Sequence, residues 1–341
     1  MPARKIAVVL FNLGGPDKLP AVRPFLFNLF NDRAIIDQPQ PLRAFIALAI
    51  SVSRNKLARA NYQLMGGRSP LLPETEAQAR ALVSRLANEI DEFGVFVAMR
   101  YWHPFAAETA AEVKAWGADD VLLVPLYPQF STTTTGSAME AWRKVYQGST
   151  RIICCYPDAD KFVQAHADCI LDAWRAGGSP PNPRVLFSAH GLPKIIVERG
   201  DPYQWQVEQT VAAVRAKLPA AWDAKVCYQS RVGPLEWIGP STEQEIERAN
   251  HDRVGVIVSP IAFVSEHVET LVELDIEYGK LGVALPFYLR ARTPGIAPSF
   301  ITMLADEVRR LSKTNELISC EAGGRLCPQH FAKCPLSASA S

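Results

Sequence analysis

Ser188-Ala189-His190-Gly191-Leu192-Pro193 ends an apolar run on a histidine. Gly191 permits a sharp turn and Pro193 fixes the exit, so the imidazole stands on the rigid end of a strand. There it can accept a proton or bind a metal near neutral pH. A histidine satisfied by nearby backbone is the alternative. A second candidate lies in PIAFVSEHVETLVELDIEY, residues 260–278. Ser265 reads as a helix N-cap, followed by Glu266, His267, Glu269, Glu273, Asp275 and Glu277. On an α-helix Glu266 and Glu273 share one face, and Glu269 and Glu273 are neighbours at i, i+4. Carboxylates with an imidazole suit a divalent cation such as Fe²⁺ or Zn²⁺. A solvated acidic face is the alternative, and the absence of HExxH excludes the zinc-protease pattern.

The tail reads CEAGGRLCPQHFAKCP, with Cys320, Cys327 and Cys334 at equal spacing. Three thiols this close in a polar tail point to a metal. His330 would complete a Cys3His zinc site, whereas an iron–sulfur cluster needs a fourth thiol from elsewhere. Cys154, Cys155, Cys169 and Cys227 are the candidates. Met99-Arg100-Tyr101-Trp102-His103-Pro104 sets an arginine and aromatics at another strand end, able to grip a flat anionic ligand or to pack. Ser131 and the threonines after it could cap a helix and bind an anion through backbone amides. Asn12-Leu13-Gly14-Gly15-Pro16 lacks both nucleotide fingerprints, GxGxxG and GxxxxGKS/T.

These residues need elements to hold them. Apolar runs at 6–11, 95–99, 120–125, 151–155, 184–188, 225–228 and 253–259 read as strands. Several are continuous rather than alternating, which suits parallel strands buried on both faces. Helical stretches between them give βαβ units and an α/β fold. The halves echo each other. VLFNLGGP (9–16) matches VLFSAHGLP (185–193), and DDVLLVPLYPQFS (119–131) matches RVGVIVSPIAFVS (253–265). Two similar α/β domains are expected. The first spans 1–150 with an insertion at about 20–72, and the second spans 151–290. The remainder, 291–341, holds a helix and the cysteine tail.

The chain has 341 residues, 36 Lys+Arg against 35 Asp+Glu, and a net charge of +1. No basic excess serves nucleic acid. Seven cysteines do not suggest a disulfide framework, and neither a signal peptide nor a spanning segment is recognisable. A cytoplasmic protein is expected, at most resting on the inner face of a membrane.

Taken together, LFNLGGPDKLPAVRPFLFNLFNDRAI, NYQLMGGRSPL, MRYWHP, VPLYPQFSTTTTGS, LFSAHGLP, CYQSRVGPLEWIGPST and PIAFVSEHVETLVELDIEY resemble the ferrochelatase family over nearly the whole chain. The resemblance implies two Rossmann-like domains around a porphyrin cleft and a lyase that inserts Fe²⁺ into protoporphyrin IX. His190 would be the active-site histidine, with His267, Glu269 and Glu273 as the acidic motif. His190 and Glu269 would meet the iron. Arg100, Tyr101, Ile36 and Ser131 would line the porphyrin, and 45–50 would be a hydrophobic lip able to touch membrane. The tail resembles the extension that carries a 2Fe–2S cluster in some members. This chain has Thr132 where animal members have the fourth cysteine, so that ligand stays open. A chelatase for coproporphyrin or another metal, and a haem sensor on the same fold, are the alternatives. Oligomeric state, a homodimer included, is not legible.

Overall fold

Ile6 to Phe11 are almost wholly removed from solvent, because β1 (Lys5–Asn12) runs parallel between β2 (Glu92–Met99) and β3 (Asp120–Pro125). A strand covered on both faces has no polar side to alternate with. This arrangement comes from a computed structural model that describes residues 3–231, 233–321 and 323–340.

The chain divides into two units. The first comprises Met1–Tyr127, Ser131–Cys154 and Ala305–Ile318. Its sheet has the order β2-β1-β3-β4-β9, where β4 is Arg151–Ile153 and β9 is Ile318–Ser319. Residues 305–318 return to this unit because cationic side chains hold them there. Arg151 donates to the carbonyls of Leu311 and Thr314, Arg4 to that of Ser312 at 3.2 Å, and Arg309 pairs with Glu89 at 2.5 Å. The helices Val22–Phe30 and Leu42–Leu64 lie between β1 and β2, ahead of the helix Leu71–Leu86.

The second unit comprises Pro128–Phe130, Cys155–Leu304 and Ser319–Ser341. Its sheet has the order β6-β5-β7-β8, with β5 Arg184–His190, β6 Asp223–Gln229, β7 Val256–Pro260 and β8 Tyr288–Arg290. Both sheets place their first strand between the second and third, with the fourth beyond the third, and the pairings among β1–β4 and among β5–β8 are parallel. The internal echo in the sequence is therefore an echo in topology: β1 corresponds to β5 and β3 to β7. The strands β8 and β9 have three and two residues, too few to carry a periodic signal.

Residues 260–278 depart from expectation. The chain leaves β7 through an irregular stretch and enters a π-helix, Glu269–Glu277, only after Val268. Ser265 is buried ahead of that helix and does not cap it. Glu266 also precedes the helix, so it shares no helical face with Glu273. π-Helical turns of this kind recur at functional sites.

Candidate active site

The residues that come together all belong to the second unit, at the carboxyl ends of β5, β6 and β7, where open α/β sheets bind ligands. His190 is the last residue of β5 and stands in register with Gln229, the last of β6. Gly191 follows, and its N–H donates to the Gln229 carbonyl at 2.8 Å. A Cβ at Gly191 would meet that oxygen at 3.0 Å and the Trp237 ring at 3.1 Å, so only glycine seats the turn without displacement. His190 Nδ1 donates to the Gly191 carbonyl at 2.6 Å. The other nitrogen, Nε2, faces Glu269 Oε1 at 3.5 Å.

Glu269 lies between two imidazoles. Its Oε2 is also 3.5 Å from His267 Nε2. Burial disfavours a charged His190, but the Glu269 carboxylate, the Gly191 carbonyl and Glu273 outweigh it and raise the imidazole to about 9. Burial likewise opposes ionisation of Glu269, and His190 with His267 overturns it, holding the carboxyl below its ordinary range. His267 goes the other way. Burial lowers it more than Glu269 raises it, its Nδ1 is buried without a hydrogen-bond partner among the described residues, and its ring meets the edge of Phe263 at 4.4 Å. At neutral pH the arrangement is an imidazolium, a carboxylate and a neutral imidazole in a row.

Glu273 is held separately. It accepts from Gln229 Nε2, Ser230 N and Tyr278 Oη, each at 2.9 Å, and from Ser230 Oγ. Burial and the neighbouring Glu269 charge raise it despite those bonds. Two carboxyls on one helix are thus pushed in opposite directions, the pattern that separates a fixed anion from a proton carrier. Ser230 reaches Glu273 with a φ of 65°, a left-handed conformation uncommon outside glycine. Gln229 and Ser230 went unassigned from sequence. The signal was available: CYQ ends β6, with Ser230 next, as SAH ends β5.

The acidic row does not act as one face. Glu266 binds Arg290 Nη1 at 2.7 Å and Thr293 N at 3.0 Å, and Asp275 takes the remainder of the same guanidinium. Asp275 and Glu277 are exposed. These three are structural or solvated.

The other expected ligand-binding residues lie in the first unit with assignments of their own. Arg100 does not offer an unpaired guanidinium to an anion, because it binds Asp32 at 2.8 Å and Ser137 Oγ at 2.7 Å. Tyr101 is buried and donates to the same Asp32 oxygen at 2.8 Å. Asp32, unassigned from sequence, is therefore the centre of that cluster. Ile36 is half-buried, its N–H bonded to the Asp32 carbonyl at 2.9 Å. Ser131 is buried, and its Oγ caps a π-helical turn, Thr132–Gly136, by accepting from Thr133 N at 3.1 Å. It serves as a cap.

Among the described residues no group of three or more His, Cys, Asp or Glu is arranged to hold a metal ion. His190 and Glu269 form an ion pair with the neutral His267 on its far side, rather than a cage.

A family model described as ferrochelatase matches residues 5–311. A ferrochelatase of Caulobacter vibrioides is 55% identical over 345 residues, covering 99% of both chains. One of Hyphomonas neptunium is 53% identical over 340 residues, covering 97% of this chain and 95% of that protein. Among solved structures, SirB from Bacillus subtilis with Fe³⁺ aligns with a TM-score of 0.53 at 12% identity, over 91% of this chain and 96% of that one. The sirohydrochlorin chelatase SirB from a B. subtilis subspecies, in complex with cobalt, aligns at 0.51 and 11% identity, over 91% and 97%. At those identities the structural likeness concerns the fold of two parallel-sheet α/β domains.

Proposed function

The chain belongs to the ferrochelatase family, and from that premise we propose that it inserts Fe²⁺ into protoporphyrin IX to form protohaem, the closing step of haem synthesis and a lyase reaction. One observation carries the proposal to this chain's own residues: the Glu269 carboxylate is held between His190 and His267 at 3.5 Å from each.

Metalation removes two pyrrole protons and strips water from the iron. A flat macrocycle turns its nitrogen lone pairs away from an incoming ion, and bending it exposes them at a cost on the order of 1–5 kcal/mol, drawn from binding. Charged at rest, His190 must first release its proton toward the acidic row, and in the neutral form that this leaves it is the proposed acceptor. It is the more exposed imidazole of the two, and Glu269 makes its protonated form stable, which draws protons from the ring. Glu273, raised by burial and the Glu269 charge and held in place by hydrogen bonds from Ser230, Gln229 and Tyr278, is the proposed next station. The test is an anaerobic insertion assay with Fe²⁺ that compares protoporphyrin with coproporphyrin. A preference for coproporphyrin would change the substrate. Haem binding without conversion of either would make the protein a sensor.

A 2Fe–2S cluster takes four protein ligands, here thiolates. We propose Cys320, Cys327 and Cys334 with Cys155 as the fourth. The Gln206 side-chain amide donates to Cys327 Sγ at 3.1 Å and to Cys155 Sγ at 3.3 Å. Glu321 N donates to the Cys155 carbonyl at 3.4 Å, beside Cys320. A hydrogen bond from Cys327 lowers the Cys334 thiol to about 6 against the opposing effect of burial, favouring the ligating thiolate. The support is this gathering of sulfurs and their chemistry, since no formed metal cage is present among the described residues. The other candidates are accounted for. Cys227 lies in the core around β6 and donates to the Phe187 carbonyl. Cys169 bonds the Thr293 carbonyl, and Cys154 belongs to the first unit. His330 is exposed and packs on Phe331 at 4.1 Å. When bound, the cluster would be structural or sensing, because insertion moves no electrons. Purified protein should be red-brown, with about two irons and two sulfides per chain. Cys155→Ser should bleach it, whereas Cys227→Ser and Cys169→Ser should not. Equimolar zinc would exclude the cluster.

We also propose peripheral membrane contact through the first unit. The helix Leu42–Leu64 exposes Leu42, Phe45, Leu48 and Val52, spaced three, three and four residues apart, hence on one face. No helix is long and apolar enough to cross a membrane among the described residues. Wild type should co-sediment with anionic liposomes, and the double variant Phe45→Glu, Leu48→Glu should stay in the supernatant.

A further inference from the structure

The peptide plane joining His190 to Gly191 is pinned at both edges. Gly191 N–H donates to the Gln229 carbonyl at 2.8 Å. On the other edge, the buried Tyr203 hydroxyl donates to the His190 carbonyl at 3.0 Å. Because a peptide unit is rigid, these two bonds set the direction in which the imidazole leaves the strand.

Tyr203 opens the helix Tyr203–Ala216, and the turn it opens is seated on the C-terminal tail. Lys333 N donates to the Gly200 carbonyl at 3.1 Å. Gly200 has a φ of 94°, and a Cβ there would stand 2.9 Å from Ala332 N, so the tail lies directly on this glycine. The Trp205 ring meets Phe331 at 5.9 Å. Gln206 is fully buried, and its amide reaches Cys327 while its carbonyl oxygen accepts from Phe130 N at 2.7 Å. The tail is stiff in its own right. The Arg325 guanidinium donates to the carbonyls of Cys327 and Pro328 at 2.9 Å, Phe331 at 3.0 Å and Gln329 at 3.1 Å. Positions 203 and 206 are one turn apart on the same helix face. One holds the histidine's peptide and the other holds the tail.

We infer that the tail, residues 325–334, positions His190 through this first helical turn, with Tyr203 as the positioning residue that transmits it. The inference rests on His190 acting as the base of the proposed reaction. Tyr203 itself need not touch substrate. Its hydroxyl keeps the imidazole in the productive direction, and small misplacements of a reacting group cost turnover more than binding.

A double-mutant cycle in the anaerobic insertion assay tests this, using the full chain as purified. Tyr203→Phe should lower kcat by about tenfold, leave the porphyrin KM within about twofold and keep the melting temperature. Phe331→Ala should lower kcat several-fold in the wild-type background and by less than about twofold in the Tyr203→Phe background. Full kcat in Tyr203→Phe, or an equal loss from Phe331→Ala in both backgrounds, overturns the inference. If Phe331→Ala does not fold, Gly200→Ala takes its place in the cycle with the same expectation. A His190→Ala protein with normal turnover would instead sink the base assignment beneath it, and is measured separately for that reason.

Discussion

Replacing His190 by alanine is expected to lower iron insertion by ~10²–10⁴-fold, the range a positioned proton acceptor supplies. Protoporphyrin binding, followed by fluorescence, should remain measurable. The imidazole is one group at a strand end, and β5 keeps its pairing to β6 and β7 without it. Two changes accompany the loss. Glu269 loses the charged one of its two imidazole neighbours, so its carboxyl should titrate closer to the ordinary range. The row then offers His267 alone, which is buried and held below its usual value, and it cannot substitute for a group raised to about 9. Turnover within a few-fold of wild type would remove His190 from the mechanism and pass the role to Glu269 and Glu273.

Glu269→Gln is the second large effect. The amide keeps the shape and removes the charge. Turnover at saturating porphyrin should fall about 10²-fold, because protonated His190 loses the anion that makes it stable. The acid limb of the pH–rate profile should move to lower pH as His190 returns toward its ordinary 6.5. Stability should change with pH in a defined sense. His190 is raised in the folded state, so its share of stability is complete below about 6.5 and is lost as pH rises through about 9. Glu269 is lowered, so the same pair is complete above about 4.5 and is lost as pH falls below that value. Wild type and Glu269→Gln should differ most in melting temperature between those limits and converge above pH ~9. A constant difference across the range would mean that Glu269 contributes packing and not charge.

The strands could be found in the sequence because their burial is local in origin. A run such as Ile6 to Leu10, with no polar face, has only one stable environment, between two parallel neighbours. The echo between 9–16 and 185–193 is the same constraint used twice, and both sheets share one strand order. His190 was legible for a related reason. Glycine and proline around a strand-end residue state where the chain must turn, and a turn there opens toward the ligand side of the sheet.

The acidic segment shows the opposite case. Residues 265–277 carry α-helical spacing, yet Glu266 leaves the helix for Arg290, twenty-four positions away, and the remainder winds as a π-helix. Spacing within a segment says nothing about a cation arriving from β8. Arg100 was likewise legible as a cation at a strand end, whereas its partner Asp32 lies sixty-eight positions earlier. The cysteine tail suggests a metal by its spacing, while the proposal of Cys155 over Cys227 rests on which thiol shares Gln206 with Cys327.

The sequence alone determined seven of the nine strands among the described residues, the duplicated plan, the family and the titratable groups from which a proton carrier could be drawn, since residue type and short-range pattern fix burial and titration range. Only the tertiary structure decided which carboxylate meets which imidazole, and with it which group is charged at neutral pH. The physical reason is that a pKa is set by neighbours a few ångströms away in space, and here those neighbours come from β5, from the end of β6 and from a π-helix some eighty residues further along the chain.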